Sequence, residues 1–271
     1  AGSEPKVGEG AAEEARVDLL EACHEADIVF LTGGLGGGTG TGSLPIIANF
    51  AKERGALTIA VVTLPFSNEG ARRANNARLG LEKLRKSADT VIVIPNDKLL
   101  QDDIAKLPLN LAFRHADEIL ANAIKCMTEI TSQGGLVNID FADMRSIMDG
   151  GGVAMIGMGE GQGSTRASDA VTAALTSPLL ELDISESKGA LINVTGGNDM
   201  TLQEAHEVVR EVHSKINKEA RIIWGASIDS TLEHQVRVML VVTGVKSSQI
   251  LGPPLGVDDE LQGRYGIEFV Q

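Results

Sequence analysis

The chain has 271 residues and a formal net charge of −13. A chain of this length forms one large or two ordinary domains, each with its own core. Aromatic residues make up only 3% of the chain, so we expect cores of aliphatic side chains. The strongly acidic balance argues against nucleic-acid backbones and anionic membranes as direct partners.

The cysteine and histidine patterns exclude two common kinds of site. Cys23 and Cys126 lie far apart in the chain without CxxC spacing, which predicts free thiols in a reducing compartment. The five histidines show no metal-binding spacing. No apolar run approaches the roughly 18 residues of a membrane span, and no signal peptide opens the chain. We therefore expect a cytoplasmic protein without a transition-metal site.

Helical and strand patterns alternate through the first part of the chain. Continuous apolar strands that alternate with amphipathic helices are typical of a parallel sheet covered on both faces. The sequence therefore predicts an α/β fold here. The predicted strands cover 26–32, 56–65 and 89–96, and the predicted helices cover 11–26, 45–55 (with Pro45 in its first turn) and 69–88.

A long amphipathic helix over 110–131 separates this part from a second one. Apolar positions recur along it at steps of three and four, which indicates one buried face. Beyond it the last two predicted strands are joined by a short turn, which predicts an antiparallel pair in a mixed sheet. We therefore expect a second α+β domain after a boundary near 132–150. Its predicted strands are 151–160, 188–197, 220–229 and 235–245, and its predicted helices are 166–175 and 201–216.

A run rich in glycine, GGLGGGTGTGS at 33–43, lies between a predicted strand and a predicted helix. Backbone N–H groups and the helix dipole favour an anion at such a junction. Glycine lets the main chain approach phosphate oxygens, and Thr39, Thr41 and Ser43 add hydroxyl donors. A Walker A loop is disfavoured because Ser43 stands where its lysine belongs, and no frame supplies the Rossmann GxGxxG spacing. The alternative interpretation of the glycine-rich run is a flexible hinge without a ligand. Phosphate binding is the better hypothesis.

Several segments of the chain resemble the FtsZ family of tubulin-like GTPases. GGGTGTG at 36–42 matches the signature loop of the tubulin and FtsZ superfamily, and IPNDKLL at 94–100 is similar to FtsZ sequences. The resemblance covers about residues 1–245 and implies a tubulin/FtsZ-like fold. That fold has a parallel, Rossmann-like GTP-binding sheet, a long central helix and a mixed-sheet α+β domain. The implied units are a GTP-binding domain over 1–131, a catalytic loop and connecting helix over 132–150, a GTPase-activating domain over 151–245 and a tail over 246–271.

The resemblance implies a set of nucleotide-binding residues. TLPFSNEG at 63–70 is similar to the family's TxPFxxEG loop, in which the glutamate contacts the ribose and a following arginine lies over the phosphates. Without the resemblance, that acid and arginine would be interpreted as a solvated first turn of a helix. The implied GTP-binding residues are Gly2, Ser3, Gly36, Gly37, Gly38, Thr39, Gly40, Thr41, Pro65, Glu69, Arg73, Phe113 and Asp117.

Two of these residues concern the base of the nucleotide. In the family an aromatic ring stacks on guanine, and a group one helical turn later hydrogen-bonds the edge of the base. Phe113 and Asp117 occupy these places, four residues apart and on one helical face. A carboxylate accepts well from the paired donors of guanine and poorly from adenine, which favours GTP over ATP. By its own pattern Phe113 would be interpreted as a core residue.

The segment NIDFAD at 138–143 resembles the loop by which one FtsZ subunit reaches the nucleotide of its neighbour. The implied catalytic residues are Asp140 and Asp143, which position and polarise water, with Asn138 supporting the geometry. Mg²⁺ would neutralise phosphate charge. Capping of a helix start is the local alternative for both aspartates.

The implied function is assembly-dependent hydrolysis of GTP to GDP and phosphate, with subunits joined head to tail into filaments of the cell-division ring. The implied partners are further copies of the chain, with membrane-tethering and regulatory division proteins at the division site. Family members begin earlier, with a strand that carries a first phosphate loop, so a chain starting at Ala1 would bind GTP poorly or leave the sheet open. The opening AGSEP at 1–5 resembles the family's third nucleotide loop, which lies near the γ-phosphate. The string at 236–251 resembles archaeal members more closely.

Two other classes of protein remain open. A non-hydrolysing tubulin-like scaffold or cell-shape protein would bind nucleotide only for folding, and would not need both Asp140 and Asp143. A nicotinamide-dependent dehydrogenase would need the GxGxxG frame and a histidine–carboxylate pair for hydride transfer, neither of which the sequence shows.

Overall fold

The computed structural model describes residues 1–99, 109–132, 136–137, 139–180 and 184–245. The described helices are α1 (Pro5–Glu14), α2 (Arg16–Ala22), α3 (Thr39–Glu53), α4 (Ala71–Ser87), α5 (Asn96–Leu99), α6 (Leu109–Ser132), α7 (Phe141–Met148), α8 (Arg166–Leu175) and α9 (Leu202–Lys215). The described strands are β1 (Ile28–Gly34), β2 (Leu57–Leu64), β3 (Thr90–Pro95), β4 (Gly152–Gln162), β5 (Gly189–Gly196), β6 (Arg221–Ile228) and β7 (Gln235–Thr243). The tail from residue 246 onwards lies outside the described residues.

The seven described strands form one sheet in the order β1-β2-β3-β4-β7-β5-β6. The pairs β1–β2, β2–β3, β3–β4 and β5–β6 are parallel, whereas β7 runs antiparallel to β4 and to β5. The predicted pairing of the last two strands is therefore wrong. β7 does not pair with β6, because it inserts between β4 and β5 and hydrogen-bonds to both along its length. A buried strand with two partners satisfies both edges of its backbone, which a hairpin at the sheet edge would not do.

Alternating side chains of the central strands form two cores, one on each face of the sheet. In β2, Leu57, Ile59 and Val61 belong to one hydrophobic cluster, whereas Ala60 and Val62 belong to the other. All five side chains are fully buried. This is the two-residue period of a strand covered on both sides, and the predicted parallel sheet with two covered faces is confirmed. Residues of α3, α4, α8 and α9 cover one face, and residues of α6 and α7 cover the other.

The two halves of the sheet meet at β3 and β4, which pair over only three residues, Thr90–Ile92 with Gly152–Ala154. Both hydrophobic clusters nevertheless contain residues from β2 and from β7, so each core extends across this junction. At the other end of the order, β1 pairs only with β2 among the described strands, and Ile28, Val29 and Phe30 are half-buried.

Two helices begin earlier than the sequence pattern predicts. The predicted helix over 11–26 is two helices, of which α1 starts at Pro5, a residue whose fixed φ suits a first helical turn. The helix predicted from Pro45 starts instead at Thr39, with Pro45 in its interior. α1 and α3 cross closely there, since a Cβ on Gly42 would lie 2.0 Å from the Pro5 carbonyl oxygen. This contact fixes the first turn of α3.

None of the helices in the described ranges is both long and apolar enough to cross a lipid bilayer.

Candidate functional site

Two backbone segments meet beyond the carboxyl end of β1. One is the glycine loop, residues 35–38, which leads from β1 into α3. The other is the opening segment, residues 1–4, where Gly2 and Ser3 have φ values of 55° and 60°. The two segments touch, because a Cβ on Gly38 would lie 2.9 Å from the Glu4 amide nitrogen. The structure therefore brings the predicted residues of both segments together.

The end of the glycine loop and the first three residues of α3 present a row of unpaired donors. The backbone N–H groups of residues 37–41 donate to no acceptor within the described part of the chain. The first intrahelical bond at this end runs from the Gly42 N–H to the Gly38 carbonyl at 3.1 Å. Free N–H groups at the start of a helix, together with the helix dipole, favour an anion. This arrangement suits a phosphate chain.

Glycine is present at different positions of this run for different structural reasons. A Cβ on Gly37 would meet nothing within 4 Å, so this residue lies on the open side of the loop. Gly36 has a φ of 107°, which favours glycine. A Cβ on Gly40 would lie 2.4 Å from the Gly34 carbonyl oxygen, so Gly40 permits a close turn between β1 and α3. Part of the glycine run therefore serves the fold, and the part around Gly37 stays open for a ligand.

Two of the hydroxyl groups predicted to face phosphate have partners inside the chain. Thr41 is buried and its Oγ1 accepts the Gly36 N–H at 2.9 Å, which closes the loop from within. The Ser43 hydroxyl donates to the Thr39 carbonyl at 2.8 Å. Thr39 itself is exposed at the first position of α3, and of the three hydroxyl residues it is the one on the outer side of the loop.

Glu69 and Arg73 lie beside the glycine loop and interact with each other. The Glu69 Oε1 accepts the Phe66 N–H at 2.8 Å and its other oxygen pairs with Arg73. The Arg73 carbonyl and Pro65 pack over Gly36, 3.0 Å and 3.3 Å from where its Cβ would be. The loop after β2 thus stands next to the glycine loop, and the half-buried Glu69 caps the short turn that precedes α4.

Helix α4 joins the two segments through residues that the sequence did not single out. The Asn76 Nδ2 donates to the Ser3 carbonyl at 3.2 Å and to the Gly36 carbonyl at 3.3 Å. Arg72 pairs with Glu4 of the opening segment, and Lys83 pairs with Glu9 of α1. The partners in these pairs are 68 and 74 residues apart in the chain, and Asn76 lies 73 and 40 residues from its two partners, so no local pattern could have indicated them. In the sequence, Asn76 is one polar residue among many on a polar helix, so its pattern gives no indication of a site.

The residues predicted to read the base lie on α6. Asp117 is exposed on this helix, and Phe113 falls within the same helix four residues earlier. The side chain of Phe113 lies outside the described residues, so the predicted base stacking stays a prediction.

The predicted catalytic carboxylates lie at the start of α7. Asp140 is the N-cap residue, and its Oδ1 accepts the Ala142 N–H at 3.4 Å. Asp143 lies in the first turn and is exposed, and its carboxylate has no hydrogen-bond or ion-pair partner among the described residues. Asn138 lies outside the described residues. The capping interpretation therefore accounts for Asp140 in part and leaves the Asp143 carboxylate without a structural role.

Arg145 fixes α7 against the opposite end of the sheet from the glycine loop. Its Nη2 donates to the Gly55 carbonyl at 3.0 Å, and its guanidinium lies 5.6 Å from the Phe141 ring centroid. Gly55 lies two residues before the start of β2, whereas the glycine loop follows Gly34, which pairs with Thr63 near the far end of β2. Eight residues of extended strand span roughly 25 Å. The carboxylates and the glycine loop of one chain are therefore at opposite ends of the sheet.

The described residues contain no group of three or more His, Cys, Asp or Glu side chains that could hold a metal ion. This is compatible with Mg²⁺, which keeps several waters and is commonly held by substrate phosphates with one or two protein oxygens.

Models of two protein families match the chain. The GTPase domain of the Tubulin/FtsZ family matches residues 1–103, and the C-terminal domain of the FtsZ family matches residues 152–246. The fold and the glycine loop thus define a tubulin-like nucleotide-binding protein with a GTPase domain, so the predictions of a GTPase that binds GTP and GDP are confirmed.

Comparison with individual proteins shows which family of tubulin-like GTPases the chain belongs to. Cell division protein FtsZ 1 of Archaeoglobus fulgidus is 54% identical over 271 residues, which are 100% of this chain and 73% of the relative. Cell division protein FtsZ of Haloferax mediterranei is 52% identical over 272 residues, covering 100% of this chain and 72% of the relative. A structure of an FtsZ dimer from M. jannaschii superposes with a TM-score of 0.87 at 53% identity, covering 91% of this chain and 71% of that one. The chain belongs to the FtsZ family.

Proposed function

We propose that this chain is a cell-division GTPase that polymerises head to tail and completes its hydrolytic site between subunits. The glycine loop of one copy would hold the GTP phosphates. The Asp140 and Asp143 carboxylates of the next copy would reach the same nucleotide. The cell-division role is supported by the names of the two archaeal relatives, and self-association by the solved dimer of a third.

The separation of the two groups is the observation that carries this proposal. Free backbone donors lie at the carboxyl end of β1, and exposed acids lie near the amino end of β2, roughly 25 Å away. Hydrolysis needs both the backbone donors and the acids within hydrogen-bond reach of the reacting groups. A second copy translated along the strand direction places its acids at the first copy's loop. Such a contact is heterologous, so it repeats into a filament.

The chemistry assigned to each group follows from its environment. The N–H groups of residues 37–41 would bind phosphate oxygens and stabilise the charge that develops on them. Asp143, exposed and unpaired among the described residues, would accept a hydrogen bond from the attacking water and polarise it, with Asp140 beside it. Asn138 would support this geometry. Gly2, Ser3 and Arg73 would complete the phosphate side, with Glu69 at the ribose and Phe113 and Asp117 at the base.

Mg²⁺ would be held mainly by nucleotide phosphates and water, because no acidic cluster is present among the described residues. Thr39, exposed at the start of α3, is a suitable protein ligand. When bound, the ion would neutralise phosphate charge. We also propose the division into units at 1–131, 132–150 and 151–245, with membrane-tethering and regulatory partners at the division site.

The test is GTP turnover with Mg²⁺ across a wide range of protein concentration. We expect the rate per molecule to rise sharply above a threshold. Asp143→Ala should bind GTP normally and lose on the order of 10²-fold or more in turnover. Asp149→Ala is the matched control, since this exposed aspartate follows the other end of the same helix, and it should keep wild-type turnover.

Mixing two inactive variants tests the sharing of the site directly. Gly37→Asp places a negative charge in the glycine loop without a steric clash, so it should lose GTP binding and keep its carboxylates. Mixed with Asp143→Ala, it should restore turnover above the sum of the separate rates. A flat rate per molecule in the wild type, with no restoration in the mixture, would mean a self-contained site. No turnover at any concentration would favour the non-hydrolysing scaffold.

A further inference from the structure

We infer that Asn76 is a positioning residue of the nucleotide site: its amide sets the direction of the Gly37 N–H and holds the opening segment (residues 1–4) against the glycine loop. This inference rests on the proposed function, and it assigns a role to a residue outside the motifs of the site.

The hydrogen bonds of Asn76 define its orientation. Both of its partners, the carbonyls of Ser3 and Gly36, are acceptors only, so the NH₂ group and not the oxygen must face them. An amide nitrogen carries two hydrogens, and each is used once. The side chain is half-buried between the segments. One group therefore fixes the spacing of two backbone segments that are not joined nearby in the chain.

The bond to Gly36 also determines where the next N–H points. In a trans peptide the C=O and N–H groups point in opposite directions, and the described chain has no cis peptide bond. Because the Gly36 carbonyl points to Asn76, the Gly37 N–H points away from α4. Gly37 is the glycine of the loop whose Cβ position is open, and its N–H has no acceptor in the described part of the chain. Asn76 thus aims a free donor at the open side of the loop.

The opening segment is restrained at both ends of one peptide group. The Ser3 carbonyl accepts from Asn76, and the Glu4 N–H donates to the Ala1 carbonyl at 2.9 Å. Ser3 has a φ of 60°, a conformation that costs energy for a residue other than glycine and needs support from its surroundings. Loss of the Asn76 bond would release this conformation and separate the segment from the loop.

Asn76→Asp is the informative substitution, because it keeps the size of the side chain and turns a carboxylate toward two carbonyl oxygens. Asn75→Asp is the matched control, one residue earlier on the exposed side of α4. We expect Asn76→Asp to lower GTP affinity about tenfold or more and GDP affinity less, since the opening segment resembles the loop near the γ-phosphate. Turnover at saturating GTP should fall by a smaller factor than KM rises. The reason is that the catalytic carboxylates, Asp140 and Asp143, come from another copy and do not depend on Asn76. Asn75→Asp should match the wild type in GTP affinity, GDP affinity and turnover.

A second measurement needs no nucleotide. Amide hydrogen exchange of the free protein should become about tenfold faster at Glu4 and Gly36 in Asn76→Asp and Asn76→Ala, with the β2 amides unchanged. Wild-type exchange at both amides would overturn the inference whether or not GTP binds. If exchange changes as expected but neither the wild type nor Asn75→Asp binds GTP, the proposed function fails and the structural role of Asn76 stands. Equal loss of GTP and GDP affinity would contradict the orientation of the segment toward the γ-phosphate.

Discussion

Two acidic residues occupy the same position of two helices and differ in everything around them. Glu204 and Asp143 are each the third residue of a helix, α9 and α7 respectively. Glu204 closes a capping box with Thr201 and bonds the Arg166 guanidinium at 2.6 and 3.1 Å. Asp143 is exposed and its carboxylate has no partner among the described residues.

The Arg166 cluster shows what a structural use of carboxylates requires. Arg166 is only 6% exposed, and the remaining donors of its guanidinium reach the Asp199 carboxylate at 2.6 Å and the Asp199 carbonyl at 3.0 Å. The hydrogen bonds from Arg166 lower the pKa of Glu204 to about 2 and also lower the pKa of Asp199. The contrast teaches that pairing with a buried cation distinguishes a carboxylate used for folding from one available for chemistry.

Removal of the buried cation should have the largest effect on stability. Arg166→Met leaves Glu204 and Asp199 without their main partner, and we expect a loss of about 2–3 kcal/mol in the free energy of unfolding. Urea unfolding followed by circular dichroism measures it. Arg237→Gln is the matched control, since it breaks the more exposed pair with Glu160, and it should cost less than about 1 kcal/mol. Equal effects of the two substitutions would mean that burial does not distinguish these pairs.

The same cluster should make stability depend on pH in acid. Because the pKa of Glu204 is lowered from 4.5 to about 2, its contribution is fully present above pH 4.5 and is lost as the pH falls toward 2. Glu204→Gln should therefore be less stable than the wild type at pH 5. The gap should shrink by about 1 kcal/mol between pH 5 and pH 3. Urea unfolding at a series of pH values measures the gap, and Glu207→Gln is the control, since this half-buried glutamate of α9 has no ion-pair partner among the described residues. A gap that stays constant with pH would contradict the ion pair as its origin.

The local patterns of the sequence were sufficient for most of the fold. Strands of nearly continuous apolar residues, such as β2 and β3, could be predicted because burial on both faces favours aliphatic side chains and leaves threonine as the only polar residue type in either strand. The glycine loop could be predicted as a phosphate site because its composition and its place between a strand and a helix are both local. The assignments of Asp140 and Asp143 needed the family resemblance, since an acid at a helix start is equally typical of capping.

The sequence could not predict features that depend on residues distant in the chain. The insertion of β7 between β4 and β5 has no signal in the short turn that precedes it. Asn76 meets its partners across 73 and 40 residues, and Arg166 meets Glu204 across 38. α3 starts early because its first turn packs on the Pro5 carbonyl. This packing overrides the tendency of Pro45 to stand in the first turn of a helix. These contacts exist only after the chain has folded.

The smallest effect on stability comes from the substitution that separates capping from catalysis at Asp140. Serine is an N-cap residue of similar quality, so Asp140→Ser should change the free energy of unfolding by less than about 0.5 kcal/mol, whereas Asp140→Ala should lose about 1 kcal/mol. If the carboxylate acts on a neighbour's nucleotide, both variants should bind GTP normally and lose at least about tenfold in turnover. If Asp140 serves only as a cap, Asp140→Ser should keep wild-type turnover, and the catalytic carboxylate of the proposed interface would then be Asp143 alone.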